Sequence, residues 1–119
     1  MNEPNREPAI RGKRIRFRWT EGPTKGATHD HRFHEDGTVD WRDAGQSGSA
    51  DSAEAADRPA YAAVKVTERV YLVSYLAASG YTLTVALSFD DRSLLGFASS
   101  SKEWYPLRGA FEVLGDLDS

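Results

Sequence analysis

A chain of 119 residues with no cysteine and a net charge of −3 is one domain's worth of sequence; it can bury a core, and it carries no disulfide framework or thiolate chemistry. Nine basic against seven acidic groups in residues 1–42, and six against eleven in residues 43–119, give no basic field of the kind that grips nucleic acid or an anionic membrane. No apolar run approaches the ~18 residues that span a bilayer, and the opening MNEPNREPAI lacks the apolar centre of a secretory signal, so no membrane partner is expected and the expected location is the cytoplasm.

Residues 1–10 are polar and carry two prolines, and they read as a flexible tail ahead of one domain over residues 11–119. From Lys13 onward the dominant signal is alternation with period two, the mark of half-buried strands. Ile15, Phe17 and Trp19 alternate with Arg14, Arg16 and Arg18, which places the aromatic face inward and the arginines outward. A second strand is expected over 27–35 and a third over 38–42, joined at Asp36-Gly37, a pair suited to tight hairpins. The stretch 43–59, rich in Gly, Ser, Ala and Asp, has little to bury and reads as a mobile loop, either a lid or a disordered connection. Strands over 61–66, 70–77, 80–89, 93–99 and 104–113 complete the series, separated by short polar breaks. About eight strands joined mostly by hairpins predict an all-β fold, a closed antiparallel up-and-down barrel of the lipocalin-like kind, since closure removes exposed edges.

Chemistry-bearing residues concentrate in His29-Asp30-His31-Arg32-Phe33-His34-Glu35-Asp36, which holds every histidine of the chain. On a strand, His29 and His31 share a face with Phe33, while Asp30, Arg32 and His34 share the other. A His-x-His pair can start a zinc site, but a third ligand is not evident, so no metal is expected. Arg32 turned inward would grip a carboxylate through its two-pronged guanidinium; turned outward it would simply pair with a surface acid. The 13 aromatic residues are many for a small barrel, and Tyr71, Tyr75, Trp104 and Tyr105 can line a cavity or fill a core. No nucleophile elbow, P-loop or dinucleotide-binding glycine pattern is present.

The order of segments Gly12–Trp19, His31-Arg32-Phe33-His34 and Val64–Tyr75 resembles the lipocalin-like (calycin) superfamily of phenolic acid decarboxylases and MoaF-like proteins. The ending Trp104-Tyr105-Pro106-Leu107-Arg108-Gly109-Ala110-Phe111-Glu112-Val113 resembles the MoaF side more closely. The resemblance implies a barrel with a central pocket. In the decarboxylases two first-strand tyrosines, an arginine on the next strand and a later glutamate hold a phenolic acid and expel carbon dioxide without a cofactor. Here the tyrosine positions correspond to Phe17 and Trp19, the arginine to Arg32, and the glutamate falls near Ala60, so that decarboxylation is not expected by that route.

The resulting expectation is a MoaF-like barrel that binds a small apolar or aromatic, acidic molecule, with no cofactor. Arg32 would be the anion contact, with Phe17, Trp19, Tyr71, Tyr75 and Trp104 as walls. A cofactor-independent cyclase, isomerase or lyase is the alternative, with His34, Asp30 or Glu21 as acid or base. A structural or partner-binding domain is the third reading, and homodimerisation is compatible with all three.

Overall fold

The computed structural model describes residues 9–43, 58–77 and 80–117. Its eight strands are β1 (Lys13–Glu21), β2 (Thr28–Phe33), β3 (Val39–Asp43), β4 (Tyr61–Thr67), β5 (Val70–Leu76), β6 (Thr82–Ser88), β7 (Ser93–Ser99) and β8 (Trp104–Asp116). The alternation of the sequence therefore translates directly into strands. Among the described residues there is no helix, and so none long and apolar enough to cross a membrane.

All neighbours pair antiparallel in the order β3-β2-β1-β8-β7-β6-β5-β4. The sheet curls until its two edge strands meet at one bridge, Thr38 to Ala60. Two backbone hydrogen bonds support it, Val39 N–H to the Pro59 carbonyl (2.9 Å) and Tyr61 N–H to the Gly37 carbonyl (3.1 Å). The expected full closure is thus met only in part: beyond that bridge no ladder joins β3 to β4 among the described residues. β3 has five residues and, among the described residues, pairs along its length with β2.

Inside the curl, Ile15 and Phe17 are fully buried and Trp19 nearly so, while Arg14 and Arg18 are exposed and Arg16 half-buried, as the strand alternation requires. The end near the β6–β7 turn is packed solid: Tyr71 meets Phe89 edge-on at 5.6 Å, and Phe89 meets Phe111 at 5.0 Å. Of the tail expected over residues 1–10, residues 1–8 lie outside the described residues; Ala9 packs on the core and Ile10 is completely buried. Of the loop expected over 43–59, residues 44–57 lie outside the described residues. Its two ends are tied: Asp43 closes β3, and Arg58 Nε donates to Thr38 Oγ1 at 3.0 Å.

Asp40 knits this corner together. It accepts from Arg32 Nε at 2.7 Å and from His34 Nε2 at 2.9 Å, with Arg58 Nε at 3.9 Å. Burial opposes its charged form, but the bonds from Arg32 and His34 outweigh that and hold the carboxylate below its usual value. Asp40→Ala is expected to cost about 2 kcal/mol, the scale of lost charge-assisted hydrogen bonds, in urea titrations near neutral pH. A change under about 0.5 kcal/mol would show this corner to be ordinary surface.

Candidate functional site

The opposite end of the curled sheet is not filled. Between the β1–β2, β5–β6 and β7–β8 turns lies a cavity of about 310 Å³. Trp19, Trp41, Tyr75, Leu83, Ala98 and Leu107 form most of its wall, with His29 and His31 on one side and Tyr81, Tyr105, Ala77, Pro23 and Thr24 around the mouth. Each inward position follows from strand parity: Trp19 continues Ile15 and Phe17, Tyr75 continues Val73, and Tyr105 shares a face with Leu107.

The two histidines are the polar side of the wall. Phe33 anchors β2 with its odd-numbered residues inward, so His29 and His31 are buried and Asp30, Arg32 and His34 face out. His31 is 1% exposed and stacks on Phe17 with ring centroids 4.1 Å apart. Its Nε2 lies 2.9 Å from the Tyr75 hydroxyl. Its Nδ1 is buried near the His29 carbonyl without a hydrogen bond of good geometry. Burial, reinforced by the neighbouring His29, pushes the His31 imidazole down to about 3, and burial likewise raises the Tyr75 phenol. Both groups are therefore neutral near pH 7. A phenolic hydroxyl has one donor and two acceptor sites, so whichever way the shared proton points, Tyr75 keeps a hydrogen-bonding function for the cavity.

His29 is fixed differently. The indole Nε1 of Trp19 is a donor only, and it lies 2.9 Å from His29 Nδ1, which must accept. Neutral His29 therefore carries its proton on Nε2, facing Asp43 Oδ1 at 3.5 Å. Burial lowers its pKa, with Asp43 and Asp30 opposing. Trp41 stacks on the same imidazole at 4.1 Å, although it is 44% exposed at the unpaired edge. Among the described residues no group of three or more histidine, aspartate or glutamate side chains is placed to hold a metal.

Of the residues expected to contact a ligand, Trp19 and Tyr75 line the cavity. Phe17 lies beneath it, fully buried against His31. Tyr71 points inward but packs at the filled end, four residues along β5 from Tyr75. Trp104 has the opposite parity to Tyr105 and Leu107; it lies on the outer surface, 65% exposed, against Phe97. The expected inward Arg32 is corrected. It alternates with the buried His31 and Phe33, and its cross-strand partner on the outer face is Asp40, which satisfies the charge there. The acid–base candidates lie outside the cavity too: Asp30 holds Arg16 at 2.7 Å, His34 bonds Asp40, and exposed Glu21 stands 3.9 Å from Arg108. His29, His31, Trp41 and Tyr81 belong to the site and were not assigned to it from sequence, whereas Tyr105 was named there as able to line a cavity; the shared face of His29, His31 and Phe33 was the available signal.

With this geometry in view, the comparisons with known proteins are consistent in kind. The MoaF N-terminal domain family matches residues 3–103. A crystal structure from Burkholderia vietnamiensis, named provisionally as a beta-lactamase, covers 92% of this chain and 99% of its own, with a TM-score of 0.65 and 19% identity. At that identity the likeness is one of fold. No curated protein matches.

Proposed function

The chain belongs to the MoaF N-terminal domain family, and from that premise we propose that it binds a small, uncharged, flat apolar or aromatic molecule in the cavity between Trp19, Trp41 and Tyr75. The observation that carries this reading is the composition of the wall. A space of about 310 Å³ falls at the lower end of ligand sites, and it is lined by rings with a few convergent polar groups. Those groups are neutral: two histidines with lowered pKa and a phenol with a raised one. Among the described residues that line the cavity there is no lysine or arginine, so these walls offer an acidic ligand no counter-charge for its desolvation. The ligand is therefore read as neutral, in place of the acid that an inward Arg32 would have held.

Trp19 and Trp41 lie in the wall and report occupancy through their fluorescence. Neutral 2-naphthol is expected to quench them and to bind at least about tenfold tighter than the anionic 2-naphthoate, the scale of one unpaired charge partly desolvated. Ala98→Trp, which fills the cavity from β7, should abolish both, and Tyr75→Phe should weaken naphthol by about 1 kcal/mol, one hydrogen bond's worth. Quenching by neither probe, or a preference for the carboxylate, would refute the reading.

A further inference from the structure

The outer surface is divided. On β1, β2 and β3 it is charged and self-paired, with Arg16 opposite Asp30 and Arg32 opposite Asp40. On the other side, the strands β5, β6 and β7 contain no charged residue at all. Their outward positions, with the flanking strands, leave Val64, Leu72, Leu76, Leu95, Phe97 and Trp104 exposed. From the ordinary size of these side chains, roughly 600 Å² of apolar side chain faces outward, at or above the largest patch usual on a monomer. Within the face the Ser74 and Thr84 hydroxyls bond each other at 2.8 Å.

The arrangement within the face is also self-complementary. Leu72, Ala86 and Leu95 lie in one cross-strand row, with the small Ala86 in the middle. A two-fold axis through Ala86 sets Leu72 of each copy against Leu95 of the other, and the alanine leaves room for the four leucines to interdigitate. The row ends at the rim in Val64 on β4 and in Arg108 on β8, which stands 3.9 Å from Glu21; the axis sets Arg108 against the other copy's Val64, so the copies meet without opposing like charges. Covering it on both copies buries about 1,200 Å² in total, the lower end of stable interfaces. We propose that this face is where a second copy of the chain docks, forming a symmetric sheet-on-sheet dimer centred on β6. The proposal is independent of what the cavity binds.

Sedimentation velocity from about 1 to 100 µM tests it, the range in which an interface of this size assembles. The wild-type chain is expected to run as a dimer. Leu95→Glu should raise the dissociation constant at least about 100-fold by burying two unpaired charges. Phe97→Lys, on the same exposed face, provides a second disruption should the first fail to fold by circular dichroism. Adding Leu72→Lys to Leu95→Glu should restore pairing in part, because the two positions meet only across the axis. Arg14→Glu, on the charged side, should leave the dimer intact. A wild-type monomer at every concentration overturns the proposal, including one that binds phosphatidylcholine vesicles instead. So does a dimer that survives Leu95→Glu and Phe97→Lys, or singles that are monomeric with no rescue in the double variant.

Discussion

Stability should fall by roughly 2–3 kcal/mol between pH 7.5 and pH 4.5 through His31 alone. The imidazole titrates near 6.5 in the unfolded chain and at about 3 when folded, so below pH 6.5 the unfolded state binds the extra proton. Stability from this group is complete above the unfolded value and is lost as pH falls, at about 1.4 kcal/mol per pH unit. His29, also lowered by burial, adds in the same direction. The carboxylates held low, Asp36, Asp40, Asp91 and Glu103, contribute mainly further down, as pH falls through their unfolded values near 3.8 for aspartate and 4.5 for glutamate. The window from 7.5 to 4.5 is therefore dominated by His31 and His29. Urea unfolding at several pH values is the measurement, and His31→Phe is the control. Phenylalanine can stack between Phe17 and Phe33 in place of the imidazole, at the cost of about 1 kcal/mol for the stranded Tyr75 hydroxyl. Its slope in this window should be shallower by about one proton. A variant with the wild-type slope would mean that His31 is not the titrating group.

Why His31 and not Arg32 faces the cavity shows what a sequence can and cannot convey here. Alternation on β2 defines two faces with certainty: one holds His29, His31 and Phe33, the other Asp30, Arg32 and His34. Only one of these sets contains a large hydrocarbon, and burying Phe33 decides the matter. The resemblance to proteins with a pocket arginine argued the other way, and local parity prevailed because Asp40 across the β2–β3 hairpin gives Arg32 an outer partner. The same logic separates Trp104 from Tyr105: Leu107, Phe111 and Val113 claim the inner face of β8, so the even-numbered Trp104 goes out.

Most strands were legible because they are short, alternating and bounded by a turn; the 13-residue β8 runs to Asp116, three residues past its expected end. The cavity was not, because whether a ring lines a space or fills it depends on how far the sheet curls. That curl is set by contacts distant in sequence. The Thr38–Ala60 bridge links the two edges, and Trp41 reaches His29 only through the β2–β3 pairing. The filled end likewise depends on Tyr71, Phe89 and Phe111 coming from three different strands or their turns. Aromatic count alone could not assign Tyr71 to the plug and Tyr75 to the wall.

Glycines let strands approach closely beside the cavity, Gly109 between β8 and β1 and Gly96 between β7 and β6, and replacing Gly96 is expected to have a large effect on stability. Gly96 sits on the inner face of β7 opposite Val85. A methyl group built there would lie 1.9 Å from the Thr84 carbonyl oxygen and 2.7 Å from the Val85 Cα, both backbone atoms of β6. Neither can rotate away as a side-chain tip could, so Gly96→Ala must push β6 and β7 apart along their ladder. The expected cost is about 3 kcal/mol or more, beyond the usual range for overpacking because ladder hydrogen bonds are lost as well. Leu95→Ala, the next residue on the outer face, removes an exposed side chain and should cost about 1 kcal/mol or less in the monomer. The neighbouring pair, Leu83 and Ala98, both line the cavity. Where Gly96→Ala still folds, at low temperature, the widened β6–β7 spacing should weaken naphthol binding together with stability. Denaturant titration of the two variants side by side settles it: a Gly96→Ala protein within about 1 kcal/mol of wild type would show that the close approach of β6 and β7 is not what shapes this end of the sheet.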